Sequence, residues 1–74
     1  MTKITLNSDQ LHQVLYYETG FEQLHPIPPI HDWMRLLGYR YMHDWRCYRR
    51  DQTIEWVLEF PSADVAELFV LKWL

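Results

Sequence analysis

Cysteine and histidine are the side chains of this protein best suited to chemistry, and the sequence contains one cysteine and four histidines. Cys47 and His43 are an even number of positions apart in an alternating stretch, which predicts that they share one face of a strand. Such a pair suggests a thiolate nucleophile with its base, or part of a zinc site. Zinc needs about four ligands at roughly 2.0 to 2.3 Å, and the other histidines lack a standard ligand spacing. Burial in an aromatic core would also raise the pKa of the Cys47 thiol. We therefore expect no enzymatic activity, no bound metal and no cofactor.

Arginine and tyrosine alternate along the middle of the chain, in the run Arg35, Arg40, Tyr41, Arg46, Tyr48, Arg49 and Arg50. Guanidinium and ring groups in this order are typical of single-strand nucleic-acid binders, but they are also enriched in protein interfaces. The net charge of −3 disfavours a polyanionic partner. Pairing of these arginines with glutamates on a neighbouring strand would neutralise them. The sequence favours a protein interface whose first half is Arg46, Tyr48 and Arg50, and nucleic acid is the alternative.

A proline-rich segment supplies the second half of the predicted interface. Three prolines between Phe21 and Pro29 exclude helix and favour an extended connection over the surface. Ile27 has no obvious role inside the protein, which suggests that it contacts a partner. The predicted contact residues in this segment are His25, Pro26, Ile27 and Pro28.

The elements that must position these residues begin with a hairpin. Residues 39–60 alternate regularly, which predicts two antiparallel strands with Asp51 and Gln52 in the turn. This register places three pairs on the inner face: Cys47 opposite Trp56, Trp45 opposite Leu58, and His43 opposite Phe60. Arg46, Tyr48, Arg50, Glu55 and Glu59 fall on the outer face.

Three helices and one more strand complete the prediction. The alternation from Lys3 to Leu6 predicts a short edge strand. Asn7 and Gln10 resemble a capping pair for a helix from Ser8 to Thr19, which Gly20 would end. A second helix carries one apolar face and ends at Gly38; the residues of that face are Ile30, Trp33, Met34 and Leu37.

Ser62 is placed to cap a third helix from Ala63 to Leu74, which is apolar around most of its circumference. We therefore predict an α+β fold in the order β-α-α-β-β-α, with helices packed on a small single-layer antiparallel sheet. The 74 residues suffice for one domain with a small core. The single cysteine fits a reducing cytoplasm, and no apolar run approaches the roughly 20 residues of a membrane span.

The C-terminal half resembles short proteins of unknown function from tailed bacteriophages. In those chains an aromatic hairpin runs into a helix reading acid-x-Ala-x-x-Phe-x-Leu-x-Trp, and the matching positions here are Asp64, Ala66, Phe69, Leu71 and Trp73. The resemblance covers the chain from Trp33 onward, and Val70 departs from it where many of those sequences have a polar residue. It implies an accessory phage protein that binds a host protein in the host cytoplasm and inhibits or redirects it, for example a defence or nucleic-acid-processing enzyme.

Two alternatives to this function remain. The first is a nucleic-acid binder that uses the exposed arginines of the hairpin. The second is a self-assembling virion component, or a homodimer, formed through the apolar C-terminal helix.

Overall fold

A computed structural model describes residues 2–17, 24–51 and 53–74. The described residues form an α+β fold with three helices and two small antiparallel sheets. The elements in chain order are β1 (Thr2–Leu6), α1 (Ser8–Val14), β2 (Leu15–Tyr17), β3 (Leu24–Pro26), α2 (Pro28–Leu36), β4 (Arg46–Arg49), β5 (Trp56–Phe60) and α3 (Ala63–Trp73). The larger sheet has the strand order β1-β5-β4, and β2 pairs with β3 in the smaller one. The predicted order of elements is thus correct at a coarse level, but the second sheet was not predicted.

Helix α1 begins as predicted and ends early. The Asn7 side chain accepts a hydrogen bond from the Gln10 backbone at 2.9 Å, and the Gln10 side chain accepts one from the Asn7 backbone at 3.1 Å. The predicted continuation is wrong over Leu15–Tyr17, where the backbone is extended, and its end at Thr19 lies outside the described residues. Leu15 and the tyrosines after it instead pair with β3, since aromatic residues favour a pleated sheet. The predicted stop at Gly20 lies outside the described residues.

Helix α2 takes its two prolines into its first turn, where no backbone donor is required. Its end is set by Gly38, whose φ of +92° is readily adopted only by glycine. The backbone N–H groups of Gly38 and Tyr39 donate to the carbonyls of Arg35 and Met34 at 2.9 and 3.0 Å, which completes a Schellman motif. The predicted stop at Gly38 is therefore confirmed.

The hairpin of β4 and β5 is shifted by two residues from the predicted register. Cys47 lies opposite Leu58 instead of Trp56. A shift of two keeps every side chain on its predicted face. The shift lengthens the connection, because the backbone N–H of Arg50 donates to Glu55 at 2.9 Å and closes a loop instead of a two-residue turn. Residues 43–45 precede β4, so the predicted strand pairing of His43 and Trp45 is wrong.

Helix α3 is capped by the Ser62 hydroxyl, which accepts from the Val65 backbone at 3.3 Å. Phe69 of this helix is fully buried. Its ring packs at a tilt against the ring of Phe60, with the two ring centroids 5.0 Å apart. Trp33 of α2 contacts the same helix, and its ring centroid lies 6.3 Å from that of Phe69 and 6.2 Å from that of Trp73. The buried core that results comprises Leu6, Val14, Leu15, Ile30, Met34, Trp45, Leu58, Phe60, Val65, Ala66 and Phe69. In the described part of the chain, no helix has the length and apolar character needed to cross a bilayer.

Candidate functional site

The loop between α2 and β4 is held by its own hydrogen bonds. The Asp44 carboxylate accepts from the Arg40 backbone at 2.8 Å, and the Asp44 backbone donates back to the Arg40 carbonyl at 2.8 Å. Met42 has a φ of +72°, in the left-handed region that costs an ordinary residue about 1 to 2 kcal/mol. Its N–H donates to the Trp45 carbonyl at 2.7 Å, which holds it in this conformation. These hydrogen bonds therefore hold the loop in one conformation between α2 and β4.

Three rings pack where this loop meets α2. His31 lies edge-on to Tyr41 with centroids 4.8 Å apart and at a tilt to Trp45 at 5.3 Å. Tyr41 and Trp45 meet edge-on at 4.6 Å. Edge-on and tilted contacts at these distances are the favourable arrangements of aromatic pairs. Trp45 is 1% exposed, so the cluster joins the core to the surface.

A concave pocket of about 340 Å³ opens beside these rings. We call it the Arg/aromatic pocket, and its lining residues are His31, Arg35, Tyr39, Arg40, Tyr41 and Trp45. Every one of them is cationic, aromatic or imidazole-bearing, and none is acidic. Arg35 has an exposed ion pair with Asp32 at 3.6 Å, whereas none of the described residues forms an ion pair with Arg40. The pocket therefore offers positive charge and ring faces to an anionic or aromatic group.

Burial changes the acid–base behaviour of two lining residues. The pKa of His31 is lowered, first by burial and then by the positive charge of Arg35, although Asp32 and a hydrogen bond to the Pro26 backbone oppose this. The imidazole is therefore neutral at pH 7. Burial raises the pKa of Tyr41 to about 12; the charge of Cys47 also raises this pKa, and a hydrogen bond with the Cys47 backbone opposes the rise. Neither group is tuned toward the neutral pKa that a general acid or base requires.

Cys47 lies on the inner face of β4 and packs against the core. Burial raises the pKa of its thiol to about 12, so the thiol keeps its proton at neutral pH. His43 is exposed in the loop before the strand, which separates it from the strand face predicted to hold both residues. Among the described residues, no group of three or more histidine, cysteine, aspartate or glutamate side chains is arranged to hold a metal ion.

The predicted hairpin residues share the outer face of the three-stranded sheet. Arg46 Nε lies 3.9 Å from Glu59 Oε1, an ion pair too long for a hydrogen bond, and the Tyr48 hydroxyl donates to Glu59 Oε2 at 3.5 Å. Arg50 pairs with Glu55 at 3.2 Å. These side chains surround Val57, which is fully buried on the same face. Charge neutralisation by acidic neighbours is thus confirmed for Arg46 and Arg50, and the contact role of this face stays a prediction.

The predicted loop residues lie beside the Arg/aromatic pocket. The backbone of Pro26 bonds to the His31 ring, and His25 is near enough to influence the charge of that ring. Pro26 is fully buried in β3 and Ile27 packs partly against the core, so neither matches the predicted exposed contact. The proposed lack of an internal role for Ile27 is therefore wrong. Pro28 is exposed at the start of α2.

Arg35, Arg40 and Tyr41 belong to the predicted arginine–tyrosine run, whereas their three neighbours in the pocket do not. His31 lies one turn before Arg35 on α2, and this i, i+4 spacing was a usable signal. Tyr39 follows the Gly38 stop directly and could have been assigned to the same loop as Arg40. The alternating pattern predicts a strand position for Trp45 and does not indicate its place in the pocket wall.

Comparison with protein families, curated proteins and solved structures finds no match. The function is therefore argued from the chemistry of the site.

Proposed function

We propose that this chain is a non-catalytic binding protein whose partner is another protein, held at the Arg/aromatic pocket. The observation that carries the proposal is the lining of that pocket. Tryptophan, tyrosine and arginine dominate the few residues that supply most of the binding energy in protein interfaces. Here tyrosines and arginines share one concave surface with room for an acidic or aromatic side chain of the partner, and the buried Trp45 supports that surface from the core side.

Exposed apolar side chains adjoin the lining residues along the chain. Met42 directly follows Tyr41 in the loop and is 62% exposed, and Leu36, which is 88% exposed, lies on α2 about 100° around the helix from Arg35. Covering such groups gains roughly 25 cal/mol for each Å² of apolar surface removed from water. A protein partner supplies this cover, whereas a phosphate backbone does not. The combination therefore favours protein over nucleic acid.

The rigidity of the 39–45 loop supports the same proposal. Met42 is held in a strained left-handed conformation by the hydrogen bond from its backbone to Trp45. Strain of this kind is found mainly where surrounding structure enforces it, often at functional sites. A loop that is already ordered loses little conformational entropy on binding, which raises affinity.

The resemblance to short phage proteins suggests that the partner is a host protein that is blocked or redirected. The residues His25 and Pro28, next to the pocket, extend the proposed contact surface. The outer face with Arg46, Tyr48 and Arg50 is a secondary part of that surface, because its arginines already have acidic neighbours.

One observation favours a second candidate function. Arg35 and Arg40 lie beside ring faces in one pocket, as in proteins that stack a base and grip its phosphate. Single-stranded nucleic acid would then be the ligand. Salt separates the two functions, because phosphate contacts weaken steeply with ionic strength and apolar contacts do not.

The test is an affinity capture from nuclease-treated host lysate with three tagged proteins. They are the unmodified chain, Arg35→Ala/Arg40→Ala, and the control Lys3→Ala/Arg49→Ala, which removes two exposed positive charges away from the pocket. We expect one stoichiometric host protein that survives high salt on the unmodified chain and the control but is lost from the pocket variant. Equal capture by the pocket variant refutes the proposed site, and recovery of nucleic acid alone when nuclease is omitted refutes the protein partner.

A further double variant separates the two halves of the predicted interface. Tyr48→Ala/Arg46→Ala changes the outer sheet face and leaves the pocket lining intact. We expect it to weaken capture less than Arg35→Ala/Arg40→Ala does. A larger loss would move the centre of the interface to the sheet.

A further inference from the structure

We propose that the outward face of α3 binds a second copy of this chain, in an antiparallel two-fold dimer. This face consists of Asp64, Leu68, Leu71 and Lys72, and we call it the α3 outer face. The proposal concerns a surface separate from the Arg/aromatic pocket and does not depend on the function proposed for that pocket.

The four residues share one side of the helix because of their spacing. Asp64, Leu68 and Lys72 follow at intervals of four, and Leu71 lies three positions after Leu68. Leu71 is 78% exposed and Leu68 is 49% exposed, whereas the opposite side of the helix carries the buried Phe69. The apolar surface of this face is therefore not used by the core.

Charge complementarity identifies the occupant of the face. Asp64 and Lys72 lie eight residues apart, or about 12 Å along the axis, with Leu68 halfway between them. An antiparallel copy centred on Leu68 places Asp64 of each chain opposite Lys72 of the other, and Leu71 beside Leu68 of the partner. A parallel copy would place like charges together. The face is thus self-complementary, as a two-fold contact requires.

The charged residues of this face are available for such a contact. Neither Asp64 nor Lys72 forms an ion pair with another described residue. Lys72 rests its ammonium group 5.5 Å from the centre of the Trp73 ring, and a partner carboxylate can approach it there. Antiparallel helices also align their dipoles favourably.

The test measures mass in solution by light scattering and sedimentation from micromolar to near-millimolar concentration. Leu71→Glu should weaken the dimer by about 10- to 100-fold, since it places a charge in the apolar centre. The matched control Ile54→Glu changes a side chain that is 91% exposed in the β4–β5 loop and should leave the dimer unchanged. Circular dichroism checks that each variant remains folded.

Charge exchange tests the antiparallel orientation. Asp64→Lys and Lys72→Glu should each weaken the dimer by about tenfold, because the two-fold symmetry repeats every substitution in both pairs. The combined Asp64→Lys/Lys72→Glu variant should restore the unmodified affinity to within about threefold. A monomer at every concentration, or a dimer that Leu71→Glu does not weaken, overturns the proposal. Failure of the combined variant to recover overturns the antiparallel pairing.

Discussion

Alkaline pH should destabilise this protein through one half-buried thiol, that of Cys47. Burial raises the pKa of Cys47 from 9.0 to about 12. The folded chain therefore keeps a proton that the unfolded chain releases above pH 9. The stability linked to this proton is complete below pH 9 and is lost progressively as the pH rises toward 12.

The size of the loss follows from the width of this pH window. Each pH unit between the two pKa values lowers the free energy of unfolding by about 1.4 kcal/mol. Two units, from pH 9 to 11, set an upper value of about 2.7 kcal/mol, and partial exposure of Cys47 reduces this to about 2 kcal/mol. A domain of this length has a total stability of about 4 to 11 kcal/mol, so the effect is measurable.

Urea unfolding at pH 8 and pH 11 measures the loss directly. The comparison uses the unmodified chain and Cys47→Ala, and it is repeated in a Tyr41→Phe background because Cys47 also affects the pKa of Tyr41. The titration of the remaining groups is common to both proteins. We expect the unmodified chain to lose about 2 kcal/mol more than Cys47→Ala between these two pH values. Tyr41, with its pKa raised from 10.0 to about 12, adds a loss that begins only above pH 10 and that Tyr41→Phe removes.

Thiol alkylation gives an independent measurement at neutral pH. A rise in pKa of three units lowers the fraction of thiolate about a thousandfold, so native Cys47 should react far more slowly than the unfolded chain. Two results together would refute the burial of this thiol. The free energy of unfolding would depend on pH in the same way for the unmodified chain and Cys47→Ala, and alkylation would proceed at a similar rate in the native and unfolded chains.

Two further substitutions test the core and the loop. Phe69→Ala should lower the free energy of unfolding by about 3 to 5 kcal/mol, because it empties a fully buried ring site against Phe60, whereas Leu36→Ala at an exposed position should change it by less than about 0.5 kcal/mol. Met42→Gly should raise the free energy of unfolding by up to about 1 kcal/mol in urea titration, by removing left-handed strain, while weakening partner capture because the exposed side chain is lost. A lower stability for Met42→Gly would contradict the strain assigned to this residue.

Local signals explain the parts of the fold that the sequence could predict. The caps at Asn7 and Ser62 and the stop at Gly38 each depend on residues within a few positions of one another, and the structure confirms all three. The alternation of polar and apolar residues in β4 and β5 predicts correctly which face of the sheet each side chain lies on. The face depends only on whether the position of a residue along the strand is odd or even. The hairpin register depends on a loop that includes the Thr53 contacts to Arg50 and Glu55, which alternation does not encode.

The candidate site was harder to predict because tertiary contacts assemble it. Arg35, Arg40 and Tyr41 were visible in the sequence as part of one arginine-rich run, but the structure divides that run between two surfaces. The division arises at Met42, whose left-handed backbone interrupts the predicted alternation. Residues 39–45 therefore form a loop before β4 and not the start of a strand. The spacing of His31 and Arg35 places both on one side of α2, but the contacts of His31 with Tyr41 and Trp45 cross the helix–loop junction and have no counterpart in the sequence pattern.

The strand order β1-β5-β4 affects the order in which the strands of this protein pair during folding. Thr2 lies opposite Phe60 and Leu6 lies opposite Trp56. Pairing of β1 with β5 must therefore close a loop of about 50 residues, whereas pairing of β4 with β5 closes a loop of only a few residues. The extra loop-closure entropy is about 2 kcal/mol, which favours formation of the hairpin first and docking of β1 afterwards. A chain in which β1 has not yet docked leaves one edge of β5 unpaired, and that edge is open to intermolecular strand pairing.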